Sequence, residues 1–397
     1  MSAVIAASGA LLGRKISGPV AVHVTDGHIA EVRDTAEPAE GVLTAGLVDI
    51  QINGAVGVDF AEVDADAMRT VVRALPSTGV TSFLPTLITA KVPTITRQAH
   101  ELLAAIAQIP AGIGARTLGL HFEGPFISPD RHGVHEPALM EHPTAAHLDT
   151  ILRDPVIAAA LRKVTLAPEL PGGMEAVRRL TDAGVLVAVG HSDATAAQTH
   201  AAADAGARMI THLFNAQRPL GHREPGVPGA ALVDDRYTLG LIADLAHVSG
   251  EICKLVFNAA GPRVALVTDA VAAAGMPPGS YLLGGAEVLL TEEGVPRSPE
   301  GTIAGSALTL DRAVRNIIGL GIDPAVALTA ASEVPANVLG EKKIGRIETG
   351  AHADLVLWDA EWHPRKVWVG GNLVFDADES IPVPAMSREV SVPAAGN

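Results

Sequence analysis

The sequence predicts an α/β protein: a parallel (β/α)8 TIM-like barrel with a small β-sandwich domain formed from both chain termini. Three observations predict it. Between residues 45 and 344, short apolar runs alternate with helix-like stretches, the pattern of parallel strands joined by crossover helices. Both chain ends read as strands and turns instead. Hydrophobic residues make up 48% of the 397-residue chain but aromatics only 3%, so the core has to be aliphatic, which suits strands covered on both faces.

Taken in order, VAVHV (20–24), Thr-Asp-Gly and HIAEV (28–32) read as a hairpin with Asp-Gly at its turn. Strand-like runs follow near 45–51, 80–86, 116–122, 163–167, 185–190, 208–211, 238–243 and 264–268. Helix-like stretches lie between them, among them 64–75, 94–108, 173–184, 194–205 and 249–258. ADLVLWD (353–359) and KVWVGGNLVFD (366–376) return to strand texture, the second broken by Gly-Gly. The division expected is a small β domain from 1–44 plus 345–397 and a barrel from 45–344. The stretch 381–397, rich in Pro, Ser and Ala, reads as a surface covering or a loose end.

A formal net charge of −15 argues against a general nucleic-acid partner. It also means that an anionic substrate needs a local cationic cluster to hold it. Cys253 is the single cysteine, which excludes an internal disulfide and a cysteine-based zinc site. The basic residues Arg14 and Lys15 follow the first apolar run rather than precede it, unlike a signal peptide. No uncharged run of about 18 apolar residues suggests a membrane span. The expected location is the cytoplasm.

Four segments carry chemistry: Glu123 in HFEGPF, His191 in VGHSDAT, His212 in THLFNA and Asp269 in LVTDA. Each ends or follows a strand-like run, and a barrel builds its active site at strand C-termini. Glu123, His191 and His212 form a ligand set for one divalent metal with a position left for water. Asp269 is placed to take and return a proton. Each has an ordinary reading alone: a structural histidine, a solvated glutamate, an aspartate that caps a helix. Their shared position favours catalysis. His121, two residues before Glu123, is expected to support or pack rather than ligate. Arg218, His222 and Arg223 supply the kind of positive cluster an anion requires.

These motifs, with GLVDIQINGAVGVDF (46–60), GHREPG, GTIAGSALTL (301–310) and GRIETGAHADLVLWD (345–359), occur in an order and spacing that resemble the N-acetylglucosamine-6-phosphate deacetylase family of the amidohydrolase superfamily. The resemblance implies hydrolysis of a sugar-phosphate acetamide with Asp269 as general base and then acid. It implies one metal ion per subunit, zinc first, with iron, cobalt or cadmium as alternatives. Gln51 and Asn53 stand where many amidohydrolases place two histidines for a second metal, and amides are poor ligands for such ions. The resemblance further assigns His135 to the acetamide carbonyl beside Val134, and Asn215 and Ala216 to sugar or phosphate contacts. His222 and Arg223 become a phosphate clamp that reaches the neighbouring subunit of a homodimer. His247, Ile303, Ala304 and Gly305 become pocket residues. Gln217 departs from the methionine frequent in the family and is expected to alter the pocket wall. The other histidines read as surface or structural.

Two rival readings remain at this point. One is another amidohydrolase activity, on cyclic amides or nucleobases, disfavoured by the missing histidine pair, the lack of an evident bridging lysine and the HREPG segment. The other is a catalytically silent scaffold, disfavoured because all four chemical groups persist.

Overall fold

The alternating apolar runs become eight parallel strands in a computed structural model that describes residues 2–36 and 39–379. They are β1 (Leu47–Ile52), β2 (Val80–Ile88), β3 (Leu120–Glu123), β4 (Leu161–Leu166), β5 (Leu186–Val189), β6 (Met209–Ile210), β7 (Thr238–Ile242) and β8 (Val264–Val267). Each pairs in parallel with its sequence neighbour. The expected third strand splits: Arg116–Thr117 pairs lower on β2, and β3 starts only after Gly119, whose φ of +119° breaks the run.

The five named helical stretches appear as Ala65–Ala74, Val92–Ile106, Gly173–Asp182, Ala196–Asp204 and Gly250–Ala260. Local chemistry sets their starts. Asp64 accepts from the backbone N–H groups of Asp66 and Ala67, and Thr195 and Gln198 form a reciprocal capping box. The first of these helices buries Met68, Val71 and Val72 against the strands.

β8 closes on β1 without a regular ladder. Asp269 N donates to Gln51 O (2.8 Å) and Asn53 N to Ala270 O (2.7 Å). Below them the fully buried Asp49 accepts from Thr268 Oγ1 at 2.5 Å and, at 3.3 Å each, from the backbone N–H groups of Thr268 and Gln51.

The terminal segments form two further sheets. One joins Ser2–Ala7, Val20–Thr25 and His28–Asp34; the other runs Asn372–Asp376, Pro364–Val369, Leu355–Trp358, Val42–Ala45, Gly9–Leu12, Lys15–Ser17. Asp26 and Gly27 both take positive φ, as the predicted two-residue turn demands. Gly370 and Gly371 do the same at the C-terminal hairpin. Ile5, Val22, Leu43, Ala353 and Leu355 share one apolar cluster contributed by both chain ends. The buried Trp358 ties this sheet to the barrel core and donates from Nε1 to Thr44 Oγ1 at 2.8 Å, across 314 residues of chain. The stretch 381–397 lies outside the described residues. One element was not foreseen: a three-stranded sheet, Gly279–Leu283, Ala286–Leu290 and Pro296–Arg297, standing on the loop after β8.

Asp49 generates a stability prediction. Burial pushes its carboxyl up to about 7, with the Thr268 hydrogen bonds opposing. In the unfolded chain such a group titrates near about 4. Between those values the folded state holds a proton that the unfolded state has lost, so stability falls as pH rises through this window. Asp49→Asn is expected to flatten that fall, read as the urea midpoint between pH 4 and 8. Parallel wild-type and variant curves would refute the assignment.

Candidate active site

Strand ends gather the four predicted groups. Glu123 is the last residue of β3; His191, His212 and Asp269 each lie two residues beyond β5, β6 and β8. The last three adopt left-handed backbone, with φ of +46°, +28° and +51°. Such a conformation costs a non-glycine residue roughly 1–3 kcal/mol and persists only where surrounding structure enforces it. Here it swings each side chain from the strand line toward the barrel axis.

Glu123 Oε1 lies 3.1 Å from His212 Nε2 and 3.5 Å from His191 Nε2, and the two nitrogens are 3.1 Å apart. A triangle with those edges has a centre about 1.9 Å from each corner, close to the length of a bond from zinc to nitrogen or oxygen. Two imidazoles and a carboxylate, all buried, thus fit a divalent cation. His191 Nδ1 sits 2.9 Å from Arg131 O, which places its ring proton there and leaves Nε2 as a lone pair. Arg131 is in turn held by Asp193, through Nε at 2.8 Å. Burial opposes charge on Glu123, but the neighbouring imidazoles of His191 and His212 outweigh it and hold the carboxyl well below the usual range. Burial, then the Glu123 charge, pushes Asp269 up.

The amides of β1 face this set with their nitrogens. Gln51 Nε2 donates to Glu123 Oε1 (2.9 Å) and Asp269 Oδ1 (3.2 Å), and Asn53 Nδ2 donates to Asp269 Oδ1 (2.8 Å). His121 stands one layer down, between Thr86 Oγ1 (3.0 Å) and Thr165 Oγ1 (2.8 Å), with burial holding it neutral.

The four groups open into a cavity of about 310 Å3. Val134, His135, Asn215, Ala216, His247, Ile303 and Gly305 line it, as Asn53 does. His135 is buried, its ring centroid 4.4 Å from that of His191. Its Nδ1 lies 2.8 Å from Thr89 Oγ1, and burial pulls the imidazole down to about 3. His247 is fixed by Asp244, whose Oδ2 is 2.7 Å from Nδ1.

Other expectations need correction. The Ala304 side chain turns from the cavity into an apolar cluster with Val271 and Leu283. Gln217 does not reach the pocket wall: its Oε1 accepts from Phe214 N (3.0 Å) and its Nε2 donates to Thr211 O (2.8 Å), so it braces the loop that carries His212. Arg218 is not a free cation, since it donates through Nε to Asp193 O (2.7 Å) and through Nη2 to Asp193 Oδ2 (2.5 Å). His222 and Arg223 are exposed and do not line the cavity within one chain.

Sequence reading also passed over Lys163. No lysine was evident as a site residue, yet this one is wholly buried on β4, with Nζ 3.3 Å from Gln51 Oε1. A lysine inside the apolar run of a predicted barrel strand was the available signal. Thr89 and Asp244 had no comparable signal.

Comparison with known proteins accords with this geometry. The amidohydrolase family matches residues 42–378. An Escherichia coli O157:H7 protein named N-acetylgalactosamine-6-phosphate deacetylase is 40% identical, over 89% of this chain and 94% of its own. A human N-acetylglucosamine-6-phosphate deacetylase is 38% identical over 85% and 84%. The crystal structure of N-acetyl-D-glucosamine-6-phosphate deacetylase from Mycobacterium smegmatis superposes with a TM-score of 0.87 at 33% identity, covering 94% of this chain and all of that one. A barrel that gathers a buried Glu–His–His set at its strand ends, matched over most of its length, belongs to the amidohydrolase family.

Proposed function

We propose that this chain hydrolyses the acetamide of N-acetyl-D-glucosamine 6-phosphate to D-glucosamine 6-phosphate and acetate. The observation that carries the reading is the Glu123–His191–His212 triangle beside Asp269 in one cavity. Its relatives bear the names of sugar-phosphate deacetylases over most of the chain.

Glu123, His191 and His212 would hold one divalent ion, which we assign as zinc; iron, cobalt or cadmium accept the same donors. Such an ion supplies a Lewis acid that lowers the pKa of water and polarises a carbonyl. The chain's own groups do the rest. Asp269, with both amide donors on Oδ1, uses Oδ2 to take a proton from the attacking water. The new carbon–oxygen bond forms at the acetamide carbon. We assign His135 the tautomer with its proton on Nε2, for which the Thr89 hydroxyl turns from Glu123 O (3.2 Å) to His135 Nδ1 (2.8 Å), so that Nε2–H stabilises the developing oxyanion. Asp269 then passes its proton to the nitrogen, the carbon–nitrogen bond breaks, and acetate leaves. Asp244 orients His247 toward the sugar.

The exposure of His222 and Arg223 supports a homodimer in which this loop clamps the phosphate in the partner's cavity. A phosphorylated sugar is retained inside cells by its charge, which supports a cytoplasmic location. Among the described residues, no helix is long and apolar enough to cross a membrane.

The 40% identity to a protein named for the galactose epimer favours a second reading, that N-acetylgalactosamine 6-phosphate is a substrate too. Acetate release measured on both epimers decides between them; release from neither by metal-loaded protein would overturn the deacetylase assignment.

Asp269→Asn is expected to abolish turnover while bound metal stays at the wild-type level; retained acetate release would place the base elsewhere. His135→Ala should lower kcat by about 10²–10³-fold, the usual loss for an oxyanion donor, with KM little changed. A KM-only effect would move His135 to simple binding. Arg223→Ala should raise KM for the sugar phosphate by about 10–100-fold, the worth of a charged hydrogen bond, and leave unphosphorylated N-acetylglucosamine unaffected. Equal effects on both sugars would remove Arg223 from the phosphate site.

A further inference from the structure

Lys163 is the one lysine with no exposed surface among the described residues. It sits on β4 in register with His121, two residues before Thr165, which pairs with Glu123. Its side chain therefore starts one layer beneath the rim and reaches toward β1. Nζ lies 3.3 Å from Gln51 Oε1 and 3.4 Å from Ile50 O. An ammonium only donates, so it attracts the oxygen of the Gln51 amide and turns the nitrogen the other way. That nitrogen meets Glu123 Oε1 and Asp269 Oδ1.

The consequence concerns how many cations the rim can hold. A second ion on the β1 side would need Glu123 or Asp269 as ligands. On that side both carboxylates already accept N–H donors, from Gln51 and Asn53. It would also face a fixed positive charge in a dry interior, where like charges repel strongly. Burial draws the ammonium down to about 8 and the nearby carboxylates, Glu123 first, oppose that; both groups that Nζ meets are oxygen acceptors, as suits an ammonium.

We propose that Lys163 is a positioning residue that restricts the centre to a single cation, by locking Gln51 as a donor and by setting a positive charge directly beneath the place a second ion would take. This rests on the deacetylase reading only for the presence of the first ion. It implies that replacing the β1 amides with histidines is insufficient for a second ion while Lys163 remains.

The test counts zinc per chain by elemental analysis after saturation and gel filtration of the full-length protein. Gln51→His/Asn53→His is expected to hold a single ion, like wild type. Adding Lys163→Met is expected to double the count, and Lys163→Gln replaces it if the methionine version fails to fold. A histidine pair that takes up two ions beside Lys163 overturns the proposal. A triple variant that stays at one ion overturns it equally. Wild type that binds no metal and releases no acetate would sink the deacetylase reading instead, so the two failures are distinguishable.

Discussion

The closure of β8 onto β1 is the constraint on which the site depends. It is made by few backbone hydrogen bonds, and those bonds run through the residues that carry chemistry. Asp269 N is tied to Gln51 O, Asn53 N to Ala270 O, and Asp49 grips Thr268 from beneath. Moving Asp269 therefore means opening the barrel. The general base we assign is held by the same seam that makes the cylinder continuous, and its left-handed backbone is enforced there rather than chosen by a flexible loop.

A second constraint follows from burial. Glu123, Asp269 and Asp49 are all removed from water, and each buried carboxylate needs donors or positive charge. The fold supplies these in tiers. Imidazoles surround Glu123, side-chain amides cover Asp269, a hydroxyl meets Asp49, and Lys163 sits among them. The cation fits the remaining open side. Support continues outward through Arg131 and Asp193 behind His191, and through Gln217 beneath the loop of His212.

Much of this was legible in the sequence. Eight apolar runs gave the barrel strands, and the groups at their ends could be read as ligands because barrels expose chemistry there. The Asp-Gly turn was legible because few residues accept positive φ. What escaped reading depended on direction rather than type. Gln217 turned under its own loop instead of into the pocket, and Arg218 found Asp193. Nothing local states which way a glutamine or arginine faces. Lys163 was overlooked because a lysine in a strand reads as solvated until the barrel wraps around it. The sheet over residues 279–297 was missed because its alternating polar residues and turns resemble a long loop.

The bond from Trp358 to Thr44 joins positions 314 residues apart. During synthesis the amino-terminal strands emerge early, yet the segment that completes their apolar cluster is made last. Until Leu355–Trp358 arrives, Val42–Ala45 presents an uncovered strand edge, the kind of surface that recruits other chains. Chain order thus sets an interval during translation in which that edge stays open while the barrel strands are being made, and the barrel core itself lacks Val356, Trp358 and Val367 until the same late segment arrives.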